Sequence, residues 1–355
     1  MKKTIKQNNI KHYKTWSRNM KKLNFKLATI ASLLIAAFSV NAENYSNVYV
    51  FGDSLSDNGN LRAIAPDQTY GDRFTNGPVA VEVVAAGLGF TLTPSYHLAG
   101  GTTGNNFAVA GAKAVDEDGN EATPDINLPT QVNAFLQING GVAPSDALYI
   151  VLIGGNDIRA AREIRAGVVF AANAQERQAI REAANASIKA AVLSEIAQIN
   201  KLIASGATNI LVANAPDIGA IPETDLVSLA LLANAQTKQQ QRKAARLPEV
   251  ATKLTTKYNR ILARNIVRTE RQTGLDLIEY DLFDFLSDQV DNASDYGYTN
   301  TDDACAYMLS QGGALNPDCD GYVTATGFLF YDEIHPTTKA HQAAGLEILG
   351  VLSAH

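Results

Sequence analysis

A serine, an aspartate and a histidine stand at positions from which they could form a nucleophilic catalytic set. Ser54 ends a Gly-Asp-Ser sequence that directly follows the apolar, strand-like run Val48–Phe51. Asp332 and His335 lie three residues apart near the other end of the sequence. A serine hydroxyl is a weak nucleophile until a base takes its proton, and a carboxylate that orients the imidazole completes the set. The three residue types therefore predict acyl transfer through a serine nucleophile.

His335 is the histidine best placed to act as the base. It follows a carboxylate in a loop that precedes a predicted helix, and Pro336 suits the start of that helix. His12 lies in a leader-like segment and His355 is the last residue, while His341 is expected to pack on the last helix or lie at the surface. An Asp-x-x-His spacing taken alone favours a capping aspartate beside a surface histidine, so the prediction depends on the other motifs.

Two further strand ends carry groups that could stabilise an oxyanion. Gly111 follows the run Asn106–Ala110, and its N–H group could approach a ligand because glycine has no side chain. Asn156 follows Gly154-Gly155 after the next strand-like run and could aim its side-chain NH₂ at the same point. A Gly-Gly pair is also typical of a turn and Asn-Asp of a helix cap, and Asp157 is expected to cap the following helix. Catalytic residue types at three separate strand ends favour the catalytic interpretation.

Strand-like and helix-like segments alternate along the sequence. This order predicts βαβ crossovers and a three-layer α/β/α sandwich with a five-stranded, mainly parallel sheet. In such sheets ligands bind at the carboxyl ends of the strands, where Ser54 lies. The predicted strands are Val48–Phe51, Asn106–Ala110, Leu148–Ile153, Asn209–Ala213 and Leu275–Tyr280. The predicted helices cover residues 78–86, 130–136, 171–203, 238–273 and 337–352.

The segment Ile221–Leu247 allows two interpretations. Its leucines are crowded and its second half is very polar, which favours one amphipathic helix packed on the core. The alternative is a mobile flap over an acyl-binding groove. Leu247-Pro248 is expected to interrupt the helix, because the residue before a proline avoids helical backbone angles.

These motifs resemble those of the GDSL esterase/lipase family, whose members are also called SGNH hydrolases. The resemblance covers essentially the whole sequence after the leader and places four blocks in the family's order. Ser54 matches the family's nucleophile, Asp332 its acid and His335 its base. The resemblance implies an oxyanion hole formed by the backbone N–H groups of Ser54 and Gly111 and by the side chain of Asn156.

The resemblance also implies a function. Family members hydrolyse carboxylic esters, often lipids, and one secreted bacterial branch contains lipases, phospholipases, lysophospholipases and glycerophospholipid–cholesterol acyltransferases. We therefore expect a secreted serine ester hydrolase that needs no metal or cofactor, acts on an ester or lipid substrate and touches a lipid surface transiently. The alternatives are a sterol acyltransferase, a carbohydrate acetyl esterase and a non-catalytic binding protein on a degenerate hydrolase fold. The acyl chain length, the head group and the oligomeric state stay open.

Residues 1–42 have the composition of an export signal. They contain nine Lys or Arg and no Asp or Glu, and the apolar stretch Leu27–Val40 has the length of a signal h-region but is short for a bilayer span. Small residues before the junction predict cleavage after Ala42, and Met20 is an alternative start. The other interpretation is an uncleaved membrane anchor. Residues 43–355 are expected to form a single hydrolase domain, periplasmic or secreted.

The exported part is acidic and carries both cysteines. Nine of the 30 basic residues lie in the leader, so 21 remain against 36 acidic ones, a formal charge of −15. Such a charge repels nucleic acid, which is therefore not an expected partner. In an oxidising compartment Cys305 and Cys319 are expected to form a disulfide, whose loop of about 15 residues would stabilise the fold by roughly 3 kcal/mol. The alternative of free or metal-binding thiols is weaker, because two thiols without a nearby histidine make a poor zinc site.

Overall fold

Four parallel strands form the central sheet, and their side chains are buried on both faces. The computed structural model describes residues 45–66, 70–116, 125–307 and 313–355. The sheet order is β1 (Val48–Gly52), β2 (Leu148–Leu152), β3 (Asn209–Ala213) and β4 (Ile278–Tyr280). Each strand is a nearly continuous apolar run, which is typical of parallel sheets covered on both sides. The predicted parallel α/β architecture is confirmed.

One of the five predicted strands, Asn106–Ala110, is an extended segment beside β1 and not a strand of the sheet. Three backbone hydrogen bonds of 2.8–3.1 Å join residues 105–109 to β1, but within β1 only Val50 forms a bridge pair, with Asn106. On the outer edge of the segment the Asn60 side chain donates to the Asn106 and Ala108 carbonyls at 2.9 and 2.8 Å. On the inner edge the ladder with β1 stops because the Gly52 N–H donates to Gln131 Oε1 at 2.9 Å and not to this segment, and the main sheet has four strands.

Helices cover both faces of the sheet and complete the three layers. Because successive strand side chains point to opposite faces, Tyr49 and Phe51 enter one core while Val48 and Val50 enter the other. Within the described ranges the helices are α1 (Asn60–Ile64), α2 (Ala80–Gly87), α3 (Leu128–Ile138), α4 (Gly155–Ala166), α5 (Ala174–Ala204), α6 (Pro222–Asn234), α7 (Lys238–Ala244), α8 (Leu247–Thr273), α9 (Leu282–Asp291) and α10 (Thr338–Ala354). The first core is closed by α3, α5 and α8, and the second by α2 and α10.

The segment Ile221–Leu247 forms two helices, which corrects the expectation of a single one. After α6 ends, the Thr237 side chain accepts a hydrogen bond from the Gln240 N–H at 3.2 Å and starts α7 as its N-cap. Ser228 Oγ donates to the Ala244 carbonyl at 2.9 Å, which holds α7 against α6. The predicted break at Leu247-Pro248 falls two residues earlier, at 245–246, since α7 ends at Ala244 and Leu247-Pro248 form the first turn of α8. The flap alternative stays a prediction.

Two small sheets precede the loop that contains Asp332. β5 (Asn300–Ala304) pairs in parallel with β8 (Phe328–Phe330), and β6 (Ala306–Tyr307) pairs antiparallel with β7 (Ala314–Leu315). Cys305 is joined to Cys319 in a disulfide with a Cα–Cα distance of 5.2 Å. The Cys305 N–H donates to the Phe330 carbonyl at 3.0 Å. The disulfide-bonded segment therefore lies directly against the strand that leads to Asp332.

The predicted signal segment, residues 1–42, and its cleavage site after Ala42 lie outside the described residues. All described residues belong to one compact unit. No helix within the described part of the chain has both the length and the apolar character that crossing a bilayer requires.

Candidate active site

One continuous chain of hydrogen bonds joins Ser54, His335 and Asp332. Ser54 Oγ lies 2.7 Å from His335 Nε2, and His335 Nδ1 lies 2.6 Å from Asp332 Oδ2. Asp332 is fully buried, while 8% of Ser54 and 6% of His335 stay exposed. Because a carboxylate only accepts hydrogen bonds, Nδ1 carries the proton and Nε2 can accept from the serine hydroxyl. The imidazole thus has the tautomer that general-base catalysis needs.

The loop around Asp332 is folded onto its carboxylate. Oδ1 accepts the backbone N–H groups of Ile334 and His335, both at 2.7 Å. Oδ2 accepts the Tyr70 hydroxyl at 2.5 Å in addition to the imidazole. Burial alone would raise the pKa of Asp332, but the neighbouring imidazole and these hydrogen bonds outweigh it and hold the pKa below its ordinary value. The carboxylate therefore stays charged and can orient the histidine.

Gly52 allows β1 to end close to β2, so that Ser54 follows at the edge of the sheet. A Cβ at Gly52 would lie 2.4 Å from the Leu152 carbonyl oxygen, so a side chain does not fit between the strands here. Gln131 on α3 pairs with both backbone groups of Gly52, at 2.9 and 2.8 Å. Asp53 Oδ1 then accepts the Leu55 N–H at 3.0 Å and turns the chain. Gly-Asp-Ser is therefore a strand end followed by a turn that presents the serine.

The backbone N–H groups of Ser54 and Gly111 donate to no acceptor in the described part of the chain. Gly111 has a φ of +85°, in the left-handed region that favours glycine. Its neighbours are paired, since the Ala110 N–H donates to Asp57 Oδ2 at 2.8 Å and the Ala112 N–H to the Val109 carbonyl at 3.1 Å. The left-handed turn thus leaves the Gly111 N–H available to a ligand.

The Asn156 side chain lies against the same turn. Its Nδ2 donates to the Ala112 carbonyl at 3.0 Å, and its Oδ1 accepts from Arg159 Nη1 at 2.8 Å. An amide nitrogen carries two hydrogens, so the bond to Ala112 leaves one of them for a ligand. Asn156 lies in the first turn of α4, where the helix dipole favours negative charge.

Gly154, before Asn156, is also required by its surroundings. Its φ is +108°, and a Cβ there would lie 2.4 Å from the Tyr258 hydroxyl. No other residue type combines that backbone angle with that packing. The Gly-Gly-Asn sequence is therefore the tight entry to α4 that brings the amide to the sheet edge.

An aromatic pair packs against the imidazole. Phe74 and Tyr70 have ring centroids 5.3 and 6.0 Å from that of His335. Thr75 Oγ1 donates to the Pro336 carbonyl at 2.8 Å, which ties this segment to the histidine loop. A pocket of about 170 Å³ opens beside it, lined by Tyr70, Gly71, Asp72, Arg73, Thr75, Gly77 and Tyr331. The segment after α1 therefore contacts both the imidazole of His335 and the loop that carries it.

Two polar residues near the motifs have structural roles. Asp157 was predicted to cap α4, and that prediction is wrong, since its side chain makes no cap hydrogen bond. Instead its Oδ2 accepts the Ala114 N–H at 2.8 Å, and burial raises its pKa to about 7. His341 is buried on α10 and its Nδ1 accepts the Ala80 N–H at 3.2 Å, which confirms a packing role.

Tyr70 and Arg159 contact the candidate catalytic residues and were not found from the sequence. Arg159 lies three residues after Asn156 on one helix, and that spacing places two side chains on the same face. This signal could have identified Arg159. Tyr70 lies in a loop, 262 residues before the carboxylate it contacts, and no local pattern points to it.

The fold and this arrangement define a class, the α/β proteins that carry a serine, histidine and aspartate at the carboxyl edge of a parallel sheet. Within it, the sequence profile of the GDSL-like Lipase/Acylhydrolase family matches residues 48–348. The chain belongs to this family, a family of carboxylic ester hydrolases. The matched range contains Ser54, Gly111, Asn156, Asp332 and His335.

Several proteins of known name are similar along most of this chain. Lipase 1 of Photorhabdus luminescens is 27% identical, over 91% of this chain and 52% of its own length. The chain thus spans about half the length of that lipase. Phosphatidylcholine-sterol acyltransferase of Aeromonas hydrophila is 25% identical, over 88% of this chain and 93% of its own length. A GDSL esterase/lipase of Arabidopsis thaliana is 25% identical over 82% of each chain.

Among solved structures, the extracellular lipase of Streptomyces rimosus is similar to this chain. It is 15% identical, with a TM-score of 0.37, and covers 87% of this chain and 98% of its own. At this TM-score the likeness carries no argument about fold or function.

Proposed function

We propose that this chain is a serine ester hydrolase that cleaves carboxylic esters of lipids through an acyl-serine intermediate. The observation that carries the proposal is the hydrogen-bonded chain from Ser54 Oγ through His335 to Asp332, at 2.7 and 2.6 Å. A hydroxyl whose proton can pass to an oriented, neutral imidazole can attack an ester carbonyl. Asp332 keeps the ring oriented and stabilises the imidazolium that forms.

In the acylation step, Ser54 Oγ attacks the carbonyl carbon while its proton moves to His335 Nε2. The carbonyl π electrons move to the oxygen, which gives a tetrahedral intermediate with a negative charge. The intermediate collapses when the C–O bond to the alcohol breaks, and His335 returns the proton to that alcohol. A water molecule then repeats the sequence on the acyl-serine, which releases the carboxylic acid and restores the hydroxyl of Ser54.

Three N–H donors are proposed to hold the negative oxygen. They are the backbone groups of Ser54 and Gly111 and the side-chain amide of Asn156. In support, the two backbone groups have no acceptor among the described residues, and the amide keeps one hydrogen beyond its bond to Ala112. Removing one such donor typically lowers kcat by about 10²–10³.

A lipid ester fits better than an acetylated sugar. Two similar proteins are named a lipase and a phosphatidylcholine-sterol acyltransferase. In addition, α6 begins against the histidine loop, since the Glu223 N–H donates to the Glu333 carbonyl at 2.8 Å. Leu226 and Leu229 on this helix are 41% and 59% exposed. Exposed apolar side chains on a helix that begins at the histidine loop suit an acyl chain and a transient contact with a lipid surface.

The proposal includes export of the protein to the periplasm or the medium. Residues 1–42 would be a cleaved signal peptide and residues 43–355 one hydrolase domain. The charged and then apolar pattern of the leader supports this, and so does the disulfide, which persists in oxidising compartments. N-terminal sequencing of the recovered protein should begin at Glu43, and a protein that retains Met1 or Met20 would contradict cleavage.

Ser54→Ala tests the nucleophile. With p-nitrophenyl butyrate as substrate, the variant should fall to the background rate and should no longer react with a fluorophosphonate probe. Ser56→Ala is a matched control, because Ser56 lies two residues further on and its buried Oγ has no hydrogen-bond partner in the described residues. The control should keep its activity. A Ser54→Ala protein that is folded and fully active would refute the proposal.

A substrate panel tests the lipid assignment. It should contain phosphatidylcholine, lysophosphatidylcholine, a triglyceride and an acetylated sugar, each with and without cholesterol. Free fatty acid from the long-chain lipids supports the proposal. Turnover of the acetylated sugar alone indicates a carbohydrate esterase, and cholesteryl ester as the main product indicates an acyltransferase.

A further inference from the structure

We propose that Arg159 is a positioning residue that fixes the amide of Asn156 in the oxyanion hole, and that Glu223 holds Arg159 in place. This inference rests on the proposed function, because it explains what fixes the orientation of Asn156, one of the three proposed oxyanion donors. None of the motifs that mark the catalytic blocks contains Arg159 or Glu223.

The orientation of the Asn156 amide decides whether it can stabilise an oxyanion. The two ends of a carboxamide have nearly the same shape, but only the nitrogen end can stabilise an oxyanion, and the oxygen end would repel it. Arg159 Nη1 donates to Asn156 Oδ1 at 2.8 Å. A guanidinium has no acceptor, so the reversed amide would place two donors against each other. Arg159, together with the Ala112 carbonyl that accepts from Nδ2 at 3.0 Å, therefore selects the orientation in which the NH₂ group faces the ligand.

The guanidinium of Arg159 is in turn held by Glu223. Arg159 Nε donates to Glu223 Oε2 at 2.8 Å, and its Nη2 donates to the other carboxylate oxygen. Arg162, whose side chain is only 2% exposed, donates to Glu223 Oε2 at 2.8 Å and to Thr224 Oγ1 at 2.6 Å. Burial alone would raise the pKa of Glu223, but the two arginines outweigh it and hold the pKa below its ordinary value. A charged carboxylate thus fixes the plane of the Arg159 fork.

Glu223 also contacts the loop that carries His335, in the other half of the site. The Glu223 N–H donates to the carbonyl of Glu333 at 2.8 Å, and Glu333 lies between Asp332 and His335. The first turn of α6 therefore contacts the loop that carries the base and, through Arg159, the side chain of Asn156. One end of α6 thus supports both the loop of His335, the proposed base, and the side chain of Asn156, a proposed oxyanion donor.

Lysine cannot replace Arg159 in this arrangement. Arg159 uses three different nitrogens, two for Glu223 and one for Asn156. A lysine ammonium is a point donor on a flexible stem and cannot reproduce a planar fork with a third, fixed donor. Arg159→Lys should therefore lose most of what Arg159→Met loses, although it keeps the charge.

The test is a double-mutant cycle on kcat and KM for p-nitrophenyl butyrate. Arg159→Met should lower kcat about 10- to 100-fold in the wild-type background, less than complete loss of a donor, and leave KM within about twofold. In the Asn156→Ala background the same substitution should lower kcat by less than about threefold, because the amide it positions is gone. Arg165→Met is a matched control on the same helix and should keep its kcat. Glu223 retains Arg162 as a partner, so thermal unfolding should show Arg159→Met to be folded.

The outcomes separate this inference from the proposed function. Equal losses in both backgrounds, or no loss in the wild type, would overturn the role of Arg159 while Ser54→Ala still tests the hydrolase. An Asn156→Ala enzyme with the kcat of the wild type would overturn both the inference and the assignment of that donor. If Arg159→Met does not fold, Glu223→Gln replaces it in the cycle. That variant keeps the shape of the side chain and should lower kcat only where Asn156 is present.

Discussion

Tyr70→Phe removes one hydrogen bond from the candidate catalytic carboxylate and leaves the ring packing intact. The Tyr70 hydroxyl donates to Asp332 Oδ2 at 2.5 Å, while its ring packs on Phe74 with centroids 4.5 Å apart. Phenylalanine retains the ring contact with Phe74 and with the imidazole. The substitution therefore isolates the effect of a single donor on a buried charge.

The magnitude follows from the charge of the acceptor. Hydrogen bonds to charged groups contribute about 1.5–3 kcal/mol to stability, and those between neutral groups about 0.5–1.5 kcal/mol. The first range applies because the pKa of Asp332 is held below its ordinary value, so the carboxylate is ionised at neutral pH. In the Asp332→Asn background the acceptor is neutral, and Tyr70→Phe should cost only the smaller amount.

Urea unfolding at pH 7, monitored by circular dichroism, measures how much Tyr70→Phe lowers the free energy of unfolding in the wild type and in the Asp332→Asn background. Tyr331→Phe is the matched control, because no described residue accepts a hydrogen bond from the Tyr331 hydroxyl although it adjoins Asp332 in sequence. That variant should stay within about 0.5 kcal/mol of the wild type. Tyr70→Phe should also lower kcat more than it raises KM, since the hydroxyl acts on Asp332.

Two results would refute this reasoning. One is a Tyr70→Phe protein as stable as Tyr331→Phe, which would mean that the hydroxyl contributes nothing to holding the carboxylate. The other is an equal cost of Tyr70→Phe with and without the Asp332→Asn substitution, because the charge of the acceptor would then be irrelevant.

Two further predictions concern stability. Glu195 accepts a hydrogen bond from the Tyr258 hydroxyl, and burial raises the pKa of Glu195 from 4.5 to about 8. The stability that the neutral carboxyl gives to the folded protein is therefore fully present below pH 4.5 and is lost as the pH rises toward 8. Glu195→Gln should therefore resist urea better than the wild type at pH 8 and little better at pH 5, with a gap that grows by about 1.4 kcal/mol per pH unit; a gap independent of pH would contradict this. Replacing Cys305 and Cys319 together by alanine should lower the free energy of unfolding by roughly 3 kcal/mol. Reducing agent should destabilise the wild type by a similar amount and leave the double variant unchanged, and equal responses would argue against the disulfide.

The strand ends were predictable because each contains a position whose packing or backbone conformation only glycine tolerates. Gly52 and Gly154 leave room for a neighbouring carbonyl and a tyrosine hydroxyl, and Gly111 adopts a left-handed turn. These local demands are written in short sequence motifs. The parallel sheet was predictable for a similar reason, since strands buried on both faces must be apolar throughout.

The remaining features depend on contacts between distant parts of the chain. The strand-like run Asn106–Ala110 is not a full strand because the Gln131 side chain takes the Gly52 N–H that would continue the ladder. The break between α6 and α7 depends on a capping threonine within a polar stretch that is otherwise typical of continuous helix. Tyr70 acts on a carboxylate 262 residues away, a contact that no local pattern encodes.

The separation between Ser54 and His335, 281 residues, has a consequence for biosynthesis. A ribosome makes the proposed nucleophile well before it makes the proposed base. Throughout that interval the nascent chain carries Ser54 without His335, so its hydroxyl is the weak nucleophile of an ordinary alcohol. On the proposed mechanism, ester cleavage therefore begins only after His335 has been made and has folded against Ser54.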